Sequence, residues 1–265
     1  MLQVLPLHHT HGLVHALISP MAVGARCHML EKFDAQKTWK ELLSLDELRP
    51  NVFMGVPTVY VKLLEYYDES LSQRTKEEFV KATCKQRMRY GRYKTVSALD
   101  GFVYINSYFF RVMISGSAAL PVNVLEKWEL ITGHRLLERY GMTEIGMALS
   151  NPLYGERKPG YVGLPFQSVK TKIADMVSRE KYKTLAEGTW KKTDVYTDPK
   201  NVIGDLLIKG PSVFKEYWGN KEATAKEFTD DGWFITGMCS VATATKYSKA
   251  LKAFKHNVNF HCTTN

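Results

Sequence analysis

The stretch Leu136-Leu137-Glu138-Arg139-Tyr140-Gly141-Met142-Thr143-Glu144 constrains this chain more than any other. A short branched, apolar run ending in an aromatic ring, a glycine, a hydroxyl and a carboxylate is the pattern of a strand whose C-terminal end carries chemistry. Upstream, Arg111-Val112-Met113-Ile114-Ser115 reads as a buried strand running into the small-residue turn Gly116-Ser117-Ala118-Ala119-Leu120-Pro121. Val122 to Ile131 then reads as a helix stopped at Gly133. Strand, helix and strand in this order predict an α/β fold with a parallel sheet, in which ligands gather at strand C-termini.

The chain before this core fits the same rhythm. Leu2 to Leu7 is a short apolar run, followed by His8-His9-Thr10-His11-Gly12 and an apolar stretch to Val23 expected to bury as a helix. Gly24 to Leu30 reads as a strand. Thr38, with Glu41 three residues on, is placed as the N-cap of a helix from Trp39 to Leu48. Asn51 to Val56 is a β-branched and aromatic strand, and Pro57 opens a helix through Tyr67 with Val59, Leu63 and Tyr66 or Tyr67 on one face.

After Asn151 the texture changes to short strands and Gly or Pro turns, as in Pro159-Gly160-Tyr161-Val162-Gly163, Val169 to Ile173 and Gly204 to Gly210. Asp230-Asp231-Gly232-Trp233-Phe234 is a turn feeding a strand toward Thr236-Gly237. The expected organisation is an α/β part over residues 1–150, a β-rich subdomain over 151–237 and a divergent tail over 238–265. In that tail, Tyr247, Leu251 and Phe254 are spaced for one amphipathic helix.

The net charge of +9 suggests a nucleic-acid binder until it is located. Lys81 to Arg111 holds seven basic residues against Asp100 alone, and the tail from Cys239 holds Lys246, Lys249, Lys252 and Lys255 with no acid. The excess therefore belongs to two segments rather than to the body of the protein, which argues against nucleic acid as the partner. Lys81 to Phe110 mixes basic and aromatic residues without a period of 2 or 3.6 and reads as an insertion. No run approaches the roughly 18 to 20 apolar residues of a membrane span. Cys27, Cys84, Cys239 and Cys262 lack the spacing of a disulfide framework or a zinc site.

Several residues carry two readings at this level. Glu144 is either a ligand-facing carboxylate or an ordinary helix-start acid with Thr143 as N-cap. Arg139 is either a pocket cation or a surface ion-pair partner. His8, His9, His11 and His15 divide among structural, pocket and metal roles, the last weakened by the lack of a nearby carboxylate or cysteine. Ser115 to Ala119 lacks the second glycine of a nucleophile elbow. Trp218 is most simply a packing residue of the β-rich part.

Taken in order, Leu5 to Leu13, Ser115 to Pro121, Leu136 to Glu144, Gly204 to Asn220 and Asp231 to Gly237 resemble the adenylate-forming acyl-CoA synthetases, nearest to the malonyl-CoA synthetase group. The resemblance implies the latter part of the large N-terminal domain of such an enzyme. It also implies an ATP-dependent acid–thiol ligase: a carboxylate attacks the α-phosphate of ATP, and coenzyme A then displaces AMP. By resemblance Tyr140 lies at the adenine, Thr143 reaches a phosphate oxygen and Glu144 holds Mg²⁺. Gly116, Ser117 and Ala118 line the adenine and acyl pockets, beside Arg139, Gly141 and Met142. The non-reacting carboxylate of malonate would fall to Arg139, helped by Ser117 and by His9 or His11, because a planar guanidinium suits a carboxylate. Animal enzymes of this type point to mitochondria.

Departures from the family pattern accompany the likeness. A Gly, Ser and Thr rich phosphate loop is expected upstream of the first motif, an aspartate is expected where Met238 stands, and a C-terminal domain with its lysine is expected after the hinge. The resulting expectation is an incomplete chain of impaired activity, with 81–110 and the tail as intervening sequence. The alternatives are a non-catalytic interaction protein and a synthetase for medium or long-chain acids.

Overall fold

The computed structural model describes residues 1–44, 50–70, 112–198, 202–245 and 248–255, the backbone alone from 240 onward. The stretch 81–110, expected as an insertion, lies outside the described residues, as does the far end of the helix expected to reach Leu48. The chain divides into two compact units, one of Met1–Ser115 with Leu120–Leu136, the other of Gly116–Ala119 with the residues from Leu137 onward.

In the first unit, β1 (Leu2–Gln3), β2 (His28–Met29), β3 (Val52–Gly55) and β4 (Val112–Ser115) pair in parallel in the order β2-β1-β3-β4. Parallel neighbours need crossover connections, and helices supply them. A π-helical stretch His11–Ile18 runs into α1 (Ser19–Ala22), and α2 (Ala35–Leu43), α3 (Pro57–Ser70) and α4 (Val122–Thr132) follow. An aromatic cluster fixes these helices. Trp39 of α2 stacks on Trp128 of α4 at 5.0 Å, and Tyr60 of α3 meets Trp128 edge-on at 5.0 Å. Trp39 Nε1 donates to the Leu63 carbonyl at 2.9 Å and Tyr60 Oη to the Ile114 carbonyl at 2.7 Å, so both buried polar tips are satisfied. Gly133 ends α4 at φ 69°, a left-handed cap that costs glycine nothing.

Three sequence expectations fail in this unit. Asp34, not Thr38, caps α2, its carboxylate accepting from the Lys37 N–H at 2.7 Å; Thr38 sits inside the helix and is buried. An aspartate one turn earlier is an equally good cap, and burial of Trp39 and Leu42 sets the helix phase. The stretch from His11 to Val23 is helical but not buried: Leu13, Val14, Ile18, Met21 and Val23 are exposed, while His11, Gly12 and Ala16 face inward. The strand expected from Gly24 to Leu30 contracts to β2, which is tied to β1 by Leu30 N–H donating to the Gln3 carbonyl.

The second unit holds β5 (Leu137–Met142), β6 (Gly146–Ser150) and β7 (Leu164–Pro165), paired antiparallel. A six-stranded antiparallel sheet follows, in the order β10 (Thr193–Val195), β9 (Tyr182–Gly188), β8 (Lys170–Met176), β11 (Val202–Lys209), β12 (Phe234–Thr245), β13 (Ser248–Lys255). Ile145, Leu149, Ile173, Leu206, Ile208 and Phe234 share one buried cluster. Asn220 caps the short α5 (Lys221–Lys226) through its side chain. The amphipathic helix expected from Leu251 and Phe254 is instead β13, with Leu251 opposite Ala242 and Phe254 opposite Cys239; Tyr247 lies outside the described residues. Three residues at helical spacing do not outweigh the ladder of backbone hydrogen bonds that the edge of β12 offers.

Candidate functional site

The Tyr140 motif is a hairpin. β5 carries Glu138, Arg139, Tyr140 and Gly141, the turn holds Thr143, Glu144 and Ile145, and β6 returns. The helix-start reading of Thr143 and Glu144 therefore fails, because no helix follows them. Gly141 is required by the hairpin itself: a Cβ there would lie 2.2 Å from the Gly146 carbonyl oxygen. A bulge between Tyr140 and Gly141 shifts the register. Such a bulge re-aims side chains at a strand end.

Tyr140 is half-buried, and its hydroxyl reaches Met142 Sδ at 3.8 Å. Burial pushes its hydroxyl up to about 12, with a Thr236 hydrogen bond working the other way and the Glu144 charge adding to the rise. Tyr140 therefore stays neutral and presents an aromatic face and a hydroxyl. Thr236, buried, donates to the Leu206 carbonyl at 2.8 Å and accepts from the Met238 N–H at 3.2 Å. This brings the Thr236-Gly237 motif beside Tyr140, which spacing along the chain does not reveal.

Arg139 is half-buried. Its Nε donates to Ser150 Oγ at 3.2 Å, and its guanidinium lies 5.8 Å from the Phe166 ring centroid. Ser150 Oγ in turn donates to the Asn151 carbonyl at 2.8 Å. Burial, and then the charge of Arg157, lower its pKa. Among the described residues no carboxylate pairs with it, so the surface ion-pair reading finds no support there. A guanidinium fixed by a hydroxyl and an aromatic face and lacking a counter-charge is suited to an incoming carboxylate.

Glu144 is half-buried while Thr143 is exposed. Tyr217 Oη donates to Glu144 Oε1 at 3.0 Å, and the Phe214 N–H donates to the Glu144 carbonyl at 2.6 Å. One carboxylate oxygen is thus engaged, and a hard cation is held by such a single carboxylate together with phosphate oxygens. Ser117 adopts φ 66°, the left-handed region disfavoured for a side chain by roughly 1 kcal/mol or more, in the turn where Gly116 is buried and Ala118 exposed. Gly116, Ser117 and Ala118 cluster with the second unit. Met142 packs against that unit's core.

His9 and His11 belong to the first unit. His11 is 7% exposed and meets His15 edge-on at 6.4 Å, while His8 and His9 are exposed with rings 4.3 Å apart. No group of three or more His, Cys, Asp or Glu side chains suited to a metal occurs among the described residues. Trp218 is not a packing residue: it is 99% exposed, and Phe214 and Tyr217 make the contacts instead. Sequence reasoning missed Ser150, Phe166, Thr236 and Tyr217. Of these, Thr236 stands in the Asp231 to Gly237 motif and Tyr217 in the Gly204 to Asn220 motif, while Ser150 and Phe166 carry no signal in the sequence.

The hairpin thus presents a tyrosine, a guanidinium with no carboxylate partner among the described residues, and a carboxylate tethered by Tyr217. Residues 1–218 match the AMP-binding enzyme family, and the chain belongs to it. It is 47% identical over 248 residues to the mitochondrial malonate–CoA ligase ACSF3 of Mus musculus, covering 93% of this chain and 39% of that protein. It is 37% identical over 243 residues to the malonate–CoA ligase of Arabidopsis thaliana, covering 89% and 33%. ATP-bound MatB from Rhodopseudomonas palustris shares the fold with a TM-score of 0.68 and 32% identity, over 96% of this chain and 39% of that one. The chain thus spans about 39% of the length of the mouse relative. No helix among the described residues is long and apolar enough to cross a membrane.

Proposed function

We propose that this chain contributes the acid- and nucleotide-recognising part of an ATP-dependent ligase that joins malonate to coenzyme A. The observation that carries the reading is Arg139: a half-buried guanidinium, next to Tyr140, with no carboxylate partner among the described residues. A fatty-acid pocket would place apolar groups there. The names of the mouse and Arabidopsis relatives, both malonate–CoA ligases, support the same substrate class.

In the proposed reaction a malonate carboxylate oxygen attacks the α-phosphorus of ATP and pyrophosphate leaves. The coenzyme A sulfur then attacks the acyl carbon, its thiol proton is lost, and AMP leaves. Arg139 binds the second carboxylate and orients the first. Tyr140 and the turn at Gly116, Ser117 and Ala118 flank the adenine, and Thr143 donates to phosphate. Gly141 and Met142 hold the strand end in place. Glu144 would hold Mg²⁺, which supplies charge neutralisation on the phosphates. Ser117, and His9 or His11, are proposed on the acid side from their motifs. A mitochondrial site follows the naming of the mouse relative.

The test is to supply the purified chain with ATP, Mg²⁺, coenzyme A and malonate and to measure AMP. AMP formation that is lost in Arg139→Met supports the reading. Formation that proceeds equally with a monocarboxylic fatty acid sinks the malonate assignment, and none above background sinks catalysis by this chain.

A further inference from the structure

We infer that Tyr217 is a positioning residue that sets the Glu144 carboxylate for a divalent cation. This rests on the proposed role of Glu144. The geometry is a two-point clamp between the 211–218 segment and the hairpin turn: Tyr217 Oη donates to Glu144 Oε1 at 3.0 Å, and the Phe214 N–H donates to the Glu144 carbonyl at 2.6 Å. The clamp is itself anchored. Phe214 stacks on Phe228 at 5.7 Å and meets Phe234 edge-on at 5.6 Å, and the Tyr217 ring leans on Phe214 at 4.8 Å. The Tyr217 N–H donates to Thr224 Oγ1 at 2.9 Å, tying the segment to α5 as well.

Packing therefore delivers the hydroxyl to one carboxylate oxygen and leaves the other as the proposed monodentate ligand, the arrangement by which outer groups tune metal affinity.

The experiment titrates Mn²⁺, followed by its electron paramagnetic resonance signal, into the full chain with ATP, and separately measures ATP binding without metal. Tyr217→Phe, which keeps the ring, is expected to weaken Mn²⁺ binding about ten-fold and to leave metal-free ATP binding unchanged. A parallel loss of metal-free ATP binding, or no change in Mn²⁺ binding while Glu144→Gln weakens it, overturns the positioning role alone. Unchanged Mn²⁺ binding in Glu144→Gln overturns the metal reading beneath it. In the unsubstituted chain, Mn²⁺ with ATP is expected to broaden the Tyr217 ring resonances; sharp resonances at saturation refute the inference without recourse to a variant.

Discussion

At the residue scale, the hairpin strand pairs two side chains with opposite demands. Glu138 is 6% exposed, and its Oε1 accepts from the Gly160 N–H at 2.9 Å. Burial raises its pKa from 4.5 to about 7, the hydrogen bond from Gly160 opposing. The folded state therefore holds a proton that the unfolded chain has released between these values. Stability falls as pH rises from about 4.5 to 7, by on the order of 3 kcal/mol if the whole shift is expressed. Glu138→Gln is expected to abolish that slope and to be more stable than the unsubstituted chain at pH 8, as measured by chemical denaturation across pH. Arg139 differs because its charge is not optional. Arg139→Lys retains charge but loses the planar fork, and is expected to raise the KM for malonate about ten-fold or more while leaving ATP binding within two-fold. Steady-state kinetics with each substrate varied in turn separates the two.

At the scale of elements, two packing devices position the site. The β5–β6 hairpin closes only because Gly141 has no side chain, its absent Cβ falling 2.2 Å from the Gly146 oxygen. Gly141→Ala is expected to destabilise the fold by about 1–3 kcal/mol and to weaken nucleotide binding, read by thermal unfolding and by ATP titration. In the first unit, Trp128 is fully buried between Trp39 and Tyr60. Trp128→Ala is expected to cost about 3–5 kcal/mol. The exposed pair of Lys127 with Asp68, which links α4 to α3, contributes little by comparison. Denaturant midpoints of Trp128→Ala and Lys127→Ala put the two effects on one scale.

For the whole molecule, the function is a property of ligand-coupled stability as well as of chemistry. ATP with Mg²⁺ at one hundred times its dissociation constant is expected to add about 2.7 kcal/mol, seen as a concentration-dependent rise in Tm. Glu144→Gln is expected to lose most of the gain that depends on Mg²⁺. A chain whose Tm ignores ATP at every concentration fits the interaction-protein alternative.

Periodicity and turn chemistry made the parallel α/β unit legible, because β3, α3, β4 and α4 each bury one face against local neighbours. Pro57 and Gly133 mark their helix boundaries through backbone restrictions that any chain obeys. The sequence of Tyr140 to Glu144 likewise determined which chemical groups stand together, since strand and turn residues stay adjacent. Tertiary structure alone decided that Glu144 lies in a hairpin turn rather than at a helix start. It also decided that Arg139 faces Ser150 and Phe166 with no counter-charge among the described residues, and that Trp218 is exposed while Tyr217 engages Glu144. Those outcomes depend on partners from 11 to 73 positions away in the chain. Local propensity carries no information about a hydrogen bond or a desolvation that exists only after distant strands have paired.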